Sequence, residues 1–524
     1  MLRLSRYRLI LILALGLLCA GLLLNGHLVP AGDNATYIVL GQSLVAGKGY
    51  RMISDPRSPE MALYPPGYPS LVAGVLALMG TANDLVAVIV PMKLSSIALY
   101  LGAIVLAYDI FRRRNPGLAT ITALLMAVSP GLLHFSNEVG TEIPYLFLSL
   151  ACIWLFERHW RGPGNGMVFY MAVLLALTFY VRSIALVMAV SFGIYLLIQR
   201  EFKSALLLLL ITGVLVSPWV IRTSSLPTTG TSVGLGRGYF ALYFSSDPYG
   251  RARASFSDWV ARLVQNLRIY VLDIWPDVLL PHASSIPQTL GSVGVFFLAM
   301  ISILVLLGFV LEARRGNASE WYVAFFFASC VGYLWAQSRL IVPIIPFAIY
   351  YLLVAIHFLL GLVSRGGQRI RKPVLTLTWL ALALSAVVAD ARAIQSNLSY
   401  GFGQPADTYY ARDAEWSNYL QAMRWIAADT AEPAVVMCRK ADLVYVLTGH
   451  LALEYPYSAD GVELMDAVRD NRVAYVIEDA FTWTRTTQQY LQPALESWRA
   501  GDPAALSLVY ETDAPRTRVW RVQQ

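Results

Sequence analysis

Charge is what this sequence has least of. Asp, Glu, Lys and Arg make up 14% of its 524 residues, against 57% hydrophobic, where a soluble domain carries roughly 25% charged residues. That deficit excludes an ordinary soluble globule and makes lipid the solvent for much of the chain. Cysteine is scarce as well, with four in all. Cys19, Cys152 and Cys330 lie in apolar runs and Cys438 stands alone in the more polar tail, so the spacings build neither a disulfide framework nor a CxxC zinc site. No His-rich ligand set exists, and no internal repeat is visible, so the inverted-repeat signature of many transporters is missing. The net charge of +7 is scattered between apolar runs rather than gathered on one face. That argues against nucleic acid as a partner and fits basic cytoplasmic loops of a bacterial inner (plasma) membrane protein.

What the sequence has in abundance is apolar stretches, recurring from Leu9 to Ala391. The first, Leu9–Leu24, follows Arg3, Arg6 and Arg8 and precedes no small-x-small cleavage site, so it reads as an uncleaved first span with its N-terminus inside. Five basic clusters mark the same side: Arg112-Arg113-Arg114, Arg158 with Arg161, Arg200 with Lys203, Arg314-Arg315, and Arg365 through Lys372. An even number of spans must separate each from the next. Two apolar stretches, Pro66–Gly80 and Leu85–Ile110, precede the first cluster, and only one of them can cross. The shorter opens on Pro65-Pro66 and reads as a re-entrant or juxtamembrane helix in an outer loop over 29–84. Later spans fall near 117–133, 142–157, 167–181, 183–198, 204–221, 290–311, 321–337, 340–362 and 373–391, with a second outer loop over 222–289. The expected architecture is a polytopic α-helical membrane domain over 1–391 with about eleven transmembrane helices. A C-terminal extracytoplasmic α/β domain follows over 392–524, with strands at 434–438 and 473–479, helical patterns at 416–428, 460–470 and 486–498, and two closing strands.

Ionisable residues near the outer ends of spans are few, and most such charges only anchor a helix. Asp33, in "AGDNATYIVL" directly after span one, reads either as a helix N-cap or as a carboxylate placed to take a proton from a hydroxyl acceptor. Tyr64, Pro65 and Pro66 form a rigid turn into a half-helix. Glu138 and Glu142, four apart in "SNEVGTEIP", share a face if that stretch is helical, and like charges there require a cation, a metal or a shared proton to offset them. Glu142 is the better functional candidate because Pro144 and an apolar run follow it. Arg182, Arg222 and Arg339 end three different spans toward one leaflet, and converging arginines suit a phosphate; Lys93 is a further candidate. His450 has no evident Ser or Cys partner and reads as a surface loop residue.

In these motifs the chain resembles the GT-C superfamily of lipid-phosphate-sugar-dependent glycosyltransferases, most of all its protein O-mannosyltransferase and lipid A aminoarabinose transferase branch. The matching elements are Asp33 after span one, the "HPP"-like Tyr64-Pro65-Pro66, Glu142 in "TEIP", and an "RY-x-x-P-x-x-P"-like Arg339-Leu340 with Pro343 and Pro346. Tyr64 stands for the common His, Leu340 for the common Tyr, and Asn34 for the second acid of the mannosyltransferase Asp-Glu pair. The resemblance implies a sugar donor on a polyprenyl phosphate, a hydroxyl acceptor on protein, lipid or glycan, and inversion at the anomeric carbon. It implies Asp33 as acceptor base, with Arg222, Arg339, Arg182 and Lys93 on the donor phosphate. No cofactor is obligatory; a divalent cation (Mg or Mn) held by Asp33 with Glu142 is the one option it leaves. The C-terminal domain would cover the active-site mouth or bind the acceptor.

Two other classes compete. A transporter or flippase of a lipid-linked substrate would place polar groups near mid-bilayer on broken helices, whereas the charges here crowd the outer rim. A membrane assembly scaffold would leave the Asp33, Glu142 and arginine set without a purpose.

Overall fold

The structure, a computed structural model, describes residues 2–80, 84–159, 165–226, 243–245, 253–363, 368–430 and 434–523. The chain divides into two compact units that do not follow chain order. Of the described residues, a helical unit gathers those within 1–24, 93–224 and 243–395, and an α/β unit gathers those within 25–92 and 396–524.

A helix occupies each stretch expected to span. These are α1 (Leu2–Leu23), α4 (Ile89–Arg112), α5 (Pro116–Ala127) with α6 (Pro130–Ser136), α7 (Glu142–His159), α8 (Asn165–Val181), α9 (Leu186–Ile198) and α10 (Phe202–Ser225). The helices Ile286–Ala313, Ala318–Gly332, Ile345–Val363 and Gln368–Tyr400 complete the set. Among the described residues, five helices are long and apolar enough to cross a bilayer, or six with the pair α5–α6, bent by 55°, taken as one span. The count of eleven is therefore not reached by length and composition. The physical reason is that a lone span needs about 20 apolar residues, and α8 and α9 have 17 and 13. The α5–α6 bend falls where Pro130 opens α6, since proline cannot continue the hydrogen-bond ladder and turns its predecessor extended.

Arg114, from the first basic cluster, is a hub of ion pairs with a side chain only 6% exposed. Its guanidinium meets Glu157 at 3.0 Å, Glu320 at 2.6 Å and Glu312 at 3.5 Å. It also donates to the Ser319 hydroxyl at 2.6 Å. One charge thus ties the chain after α4 to α7 and to the helices Ile286–Ala313 and Ala318–Gly332. A buried cation must be paired or the cost is several kcal/mol.

In the α/β unit, α2 (Asn34–Val45) packs against α3 (Gly67–Met79). The approach is close because Gly41 has no side chain: a Cβ there would lie 2.7 Å from a Val72 methyl. With 13 residues, α3 is about 20 Å long, short of the roughly 30 Å hydrocarbon core. The sheet has five strands in the order β2-β1-β3-β5-β4: β1 (Val435–Met437), β2 (Leu451–Leu453), β3 (Tyr475–Glu478), β4 (Leu506–Glu511) and β5 (Arg518–Val522). The β1–β2 and β1–β3 pairs are parallel, while β3–β5 and β4–β5 are antiparallel. β3 is buried at all four positions, as a central strand covered on both faces should be. The Ala452 amide donates to the Ser54 carbonyl at 2.8 Å, so the segment after α2 is stitched to β2.

Candidate active site

Asp33 lies in the α/β unit. It occupies the cap position of α2 but makes no side-chain cap hydrogen bond. Instead the Tyr64 hydroxyl donates to Asp33 Oδ1 at 2.7 Å. Tyr64 is itself held from two sides: the Tyr50 hydroxyl donates to its carbonyl at 2.8 Å, and its ring meets Tyr37 edge-on with centroids 5.3 Å apart. Pro65 follows, and Pro66 is the cap of α3 at φ −77° and ψ −4°, so the two prolines fix the direction in which Tyr64 leaves α3.

A second locus belongs to the helical unit. Glu142 opens α7 and is buried, where a helix N-terminus favours negative charge. Its Oε1 accepts from Arg182 at 3.2 Å and lies 3.8 Å from Arg339 Nε. Arg182 sits in the extended break between α8 and α9. Arg339 is carried by the 3₁₀ segment Ser338–Ile344. Glu138 is also buried and lies 2.9 Å from His134 Nε2. It is the carboxylate whose charge acts on Lys93, which is fully buried. Gly140 stands between the acids: a Cβ on it would lie 2.7 Å from Glu142 Oε2 and 3.8 Å from Glu138 Oε2. Lys93, Arg182 and Arg339 therefore outnumber the two carboxylates they accompany. Arg222 lies at the end of α10 with its guanidinium 5.4 Å from the Trp219 ring.

Residues 64–221 match the model of the family described as dolichyl-phosphate-mannose-protein mannosyltransferase. This stretch, under a third of the chain, includes Tyr64, Glu142 and Arg182. Among solved structures, the archaeal oligosaccharyltransferase AglB from Archaeoglobus fulgidus, in complex with an inhibitory peptide and a dolichol-phosphate, superposes with a TM-score of 0.58. The identity is 12%, over 99% of this chain and 74% of that one. ArnT from Cupriavidus metallidurans bound to undecaprenyl phosphate gives 0.57 at 12% identity, over 98% of this chain and 97% of that one. The chain has the GT-C fold. No curated protein matches it by sequence.

Several expectations change within this GT-C frame. Glu138 and Glu142 do not share a helix face, because α6 ends at Ser136 and α7 starts at Glu142. The turn between them, with Gly140 at its centre, brings both carboxylates to one spot. His450 is buried rather than a surface residue, and its Nδ1 accepts from the Ala434 amide at 3.2 Å. Another Archaeoglobus fulgidus oligosaccharyltransferase structure contains Zn and sulfate, at a TM-score of 0.56 and 13% identity over 98% and 73% of the chains. In this chain no group of three or more His, Cys, Asp or Glu side chains suited to a metal assembles among the described residues. Glu142, moreover, already faces two guanidiniums. The donor set does not fit a divalent cation, and no step is assigned to one.

Two residues escaped sequence reasoning. Lys440 Nζ donates to the Gly32 carbonyl at 2.7 Å, one residue from Asp33. Asp442 accepts from Thr36 Oγ1 at 2.6 Å and from Ser54 Oγ at 2.8 Å. Burial pushes the Asp442 carboxyl above the usual aspartate range, against the pull of these two hydroxyls and of Lys440. The sequence offers one faint signal, the charged run Arg439-Lys440-Ala441-Asp442 just after the apolar stretch at 434–438.

Proposed function

We propose that this chain is an inverting glycosyltransferase. It moves a sugar from a polyprenyl-phosphate donor to a hydroxyl acceptor on protein, lipid or glycan, at the outer face of a bacterial inner membrane, with the N-terminus cytoplasmic and the C-terminus outside. The observation that carries this reading is Asp33, a carboxylate at a helix start that is spared for Tyr64 rather than spent on capping. Dolichol-phosphate and undecaprenyl phosphate in the two structural neighbours support the donor class.

In this reading Asp33 takes the proton of the acceptor hydroxyl, and the acceptor oxygen bonds the anomeric carbon. The bond from that carbon to the phosphate oxygen breaks, and its electron pair leaves with the lipid phosphate. Negative charge on the leaving phosphate grows toward the transition state, so fixed cations there raise kcat rather than mere affinity. Arg182 and Arg339 are assigned that role, with Glu142 holding both guanidiniums in place; Lys93 and Arg222 support the same anion. Purified protein given a polyprenyl-phosphate sugar and a hydroxyl acceptor should release polyprenyl phosphate. Asp33→Asn should stop this in protein that circular dichroism shows to be folded; full turnover in that variant removes the base assignment.

A further inference from the structure

Among its described residues the C-terminal part of the α/β unit shows no catalytic constellation of its own, yet it reaches the start of α2 with two charged side chains. Lys440 is the residue ahead of the Ala441–Thr448 helix. Its backbone amide donates to the Tyr419 hydroxyl at 3.2 Å, which fixes it to the Ala414–Asp429 helix. From there its ammonium donates to the Gly32 carbonyl at 2.7 Å. Gly32 has φ +72°, a left-handed conformation that glycine adopts without strain and that sets the direction of the chain entering Asp33. Two residues on, Asp442 binds Thr36 in the first turn of α2. The helix start at 440–442 thus clamps the helix start at 32–36.

The charges agree with the geometry. Burial pushes the Lys440 ammonium below the usual lysine range, assisted by Arg439. Asp33 is the strongest of the carboxylates that oppose this, ahead of Asp442 and Glu454. A partly buried ammonium is stabilised by a nearby carboxylate, and Asp33 is the carboxylate that acts on it most.

We propose that Lys440 is a positioning residue for Asp33, supplied by the C-terminal part of the chain, which anchors the Gly32 carbonyl and balances the charge of the Asp33 carboxylate. This rests on the reading of Asp33 as the acceptor base. It gives the C-terminal domain a direct part in the reaction, beyond covering a site. Removing the ammonium should make Asp33 harder to ionise, since an opposite charge nearby favours the carboxylate form.

The test needs no turnover. A water-soluble carbodiimide reacts with a protonated carboxyl, so its labelling of the Asp33 peptide against pH, read by mass spectrometry on the full chain, gives a midpoint. Lys440→Met should raise this midpoint by about one pH unit, a typical effect of losing one close opposite charge. Lys440→Arg should hold it near the original value. Ser54→Ala, which loosens the same docking without removing charge, should move it by no more than a few tenths. An unchanged midpoint in Lys440→Met, or an equal shift in Ser54→Ala, overturns the proposal. In the turnover assay Lys440→Met should lower kcat about 10-fold to 100-fold with donor KM little changed, the scale on which groups supporting a first-contact residue act. Loss of the midpoint shift refutes Lys440 alone, whereas an Asp33→Asn enzyme of full activity refutes the base reading and leaves the midpoint to be judged separately.

Discussion

Asp33 and Glu142 are both carboxylates at the start of a helix, and both meet cations, but the company they keep differs in kind. Asp33 has a neutral hydroxyl donor in Tyr64 and one ammonium nearby in Lys440. Glu142 faces two guanidiniums, Arg182 and Arg339, and its neighbour Glu138 acts on Lys93. A carboxylate met by a hydroxyl donor is held less tightly than one met by guanidiniums, because charge-assisted hydrogen bonds are the stronger kind. A carboxylate between two arginines cannot serve as a base without first breaking charge-assisted bonds, but it leaves a positive surplus that suits a phosphate. In the proposed reading, one chemical group at one kind of helix position divides into base and scaffold according to its partners.

The most direct way to break this comparison is to neutralise both acids. Asp33→Asn should cost a factor of about 10³ or more in kcat, at the upper end of what general bases contribute. Glu142→Gln should be milder and should act through the arginines; equal losses would erase the distinction. Next in size, Arg182→Ala or Arg339→Ala should each lower turnover by about 10²-fold, the scale of losing one preorganised donor to a developing anion. Release of polyprenyl phosphate reads both. Tyr64→Phe removes a single donor to Asp33 and should cost about 10-fold in kcat/KM, with an altered pH profile. Gly140→Ala should hurt the Glu142 locus alone, since its Cβ meets Glu142 Oε2.

The smallest effect on turnover is expected at Asp479, where the signal is one of stability. Burial raises its pKa to about 6, against the pull of the Thr487 hydroxyl and the Phe481 amide. A carboxyl whose folded pKa lies above its unfolded value of about 3.9 holds its proton more tightly when folded. The native state therefore binds more protons between those values, and stability falls as pH rises from about 4 to about 6. The loss is about 3 kcal/mol from a shift of about two units. Hydrogen exchange over residues 475–491 should follow this slope, and Asp479→Asn should flatten it.

Much of this was legible in order of strength of signal. Long apolar runs, the Pro65-Pro66 turn and the α/β tail follow from hydrophobic patterning, since each is local. β2 and the Ala441–Thr448 helix were missed because a three-residue strand, Leu451–Leu453, is too short for alternation to register, and an eight-residue helix beside it carries little periodicity. Missing them hid Lys440 and Asp442. The partners of Arg114 were hidden for a related reason: a basic cluster looks the same in sequence whether it is solvated or paired with Glu157 and Glu320.

The sequence by itself determined the long apolar helices, the α/β character of the tail and a first set of candidate acids and bases, because apolar runs and periodicity are properties of consecutive residues. Only the tertiary structure decided which of those charges meet. Tyr64 reaches Asp33 across 31 positions, Arg182 reaches Glu142 across 40, and Lys440 reaches Gly32 across 408. An electrostatic partner is chosen by distance in space, which no spacing along the chain records.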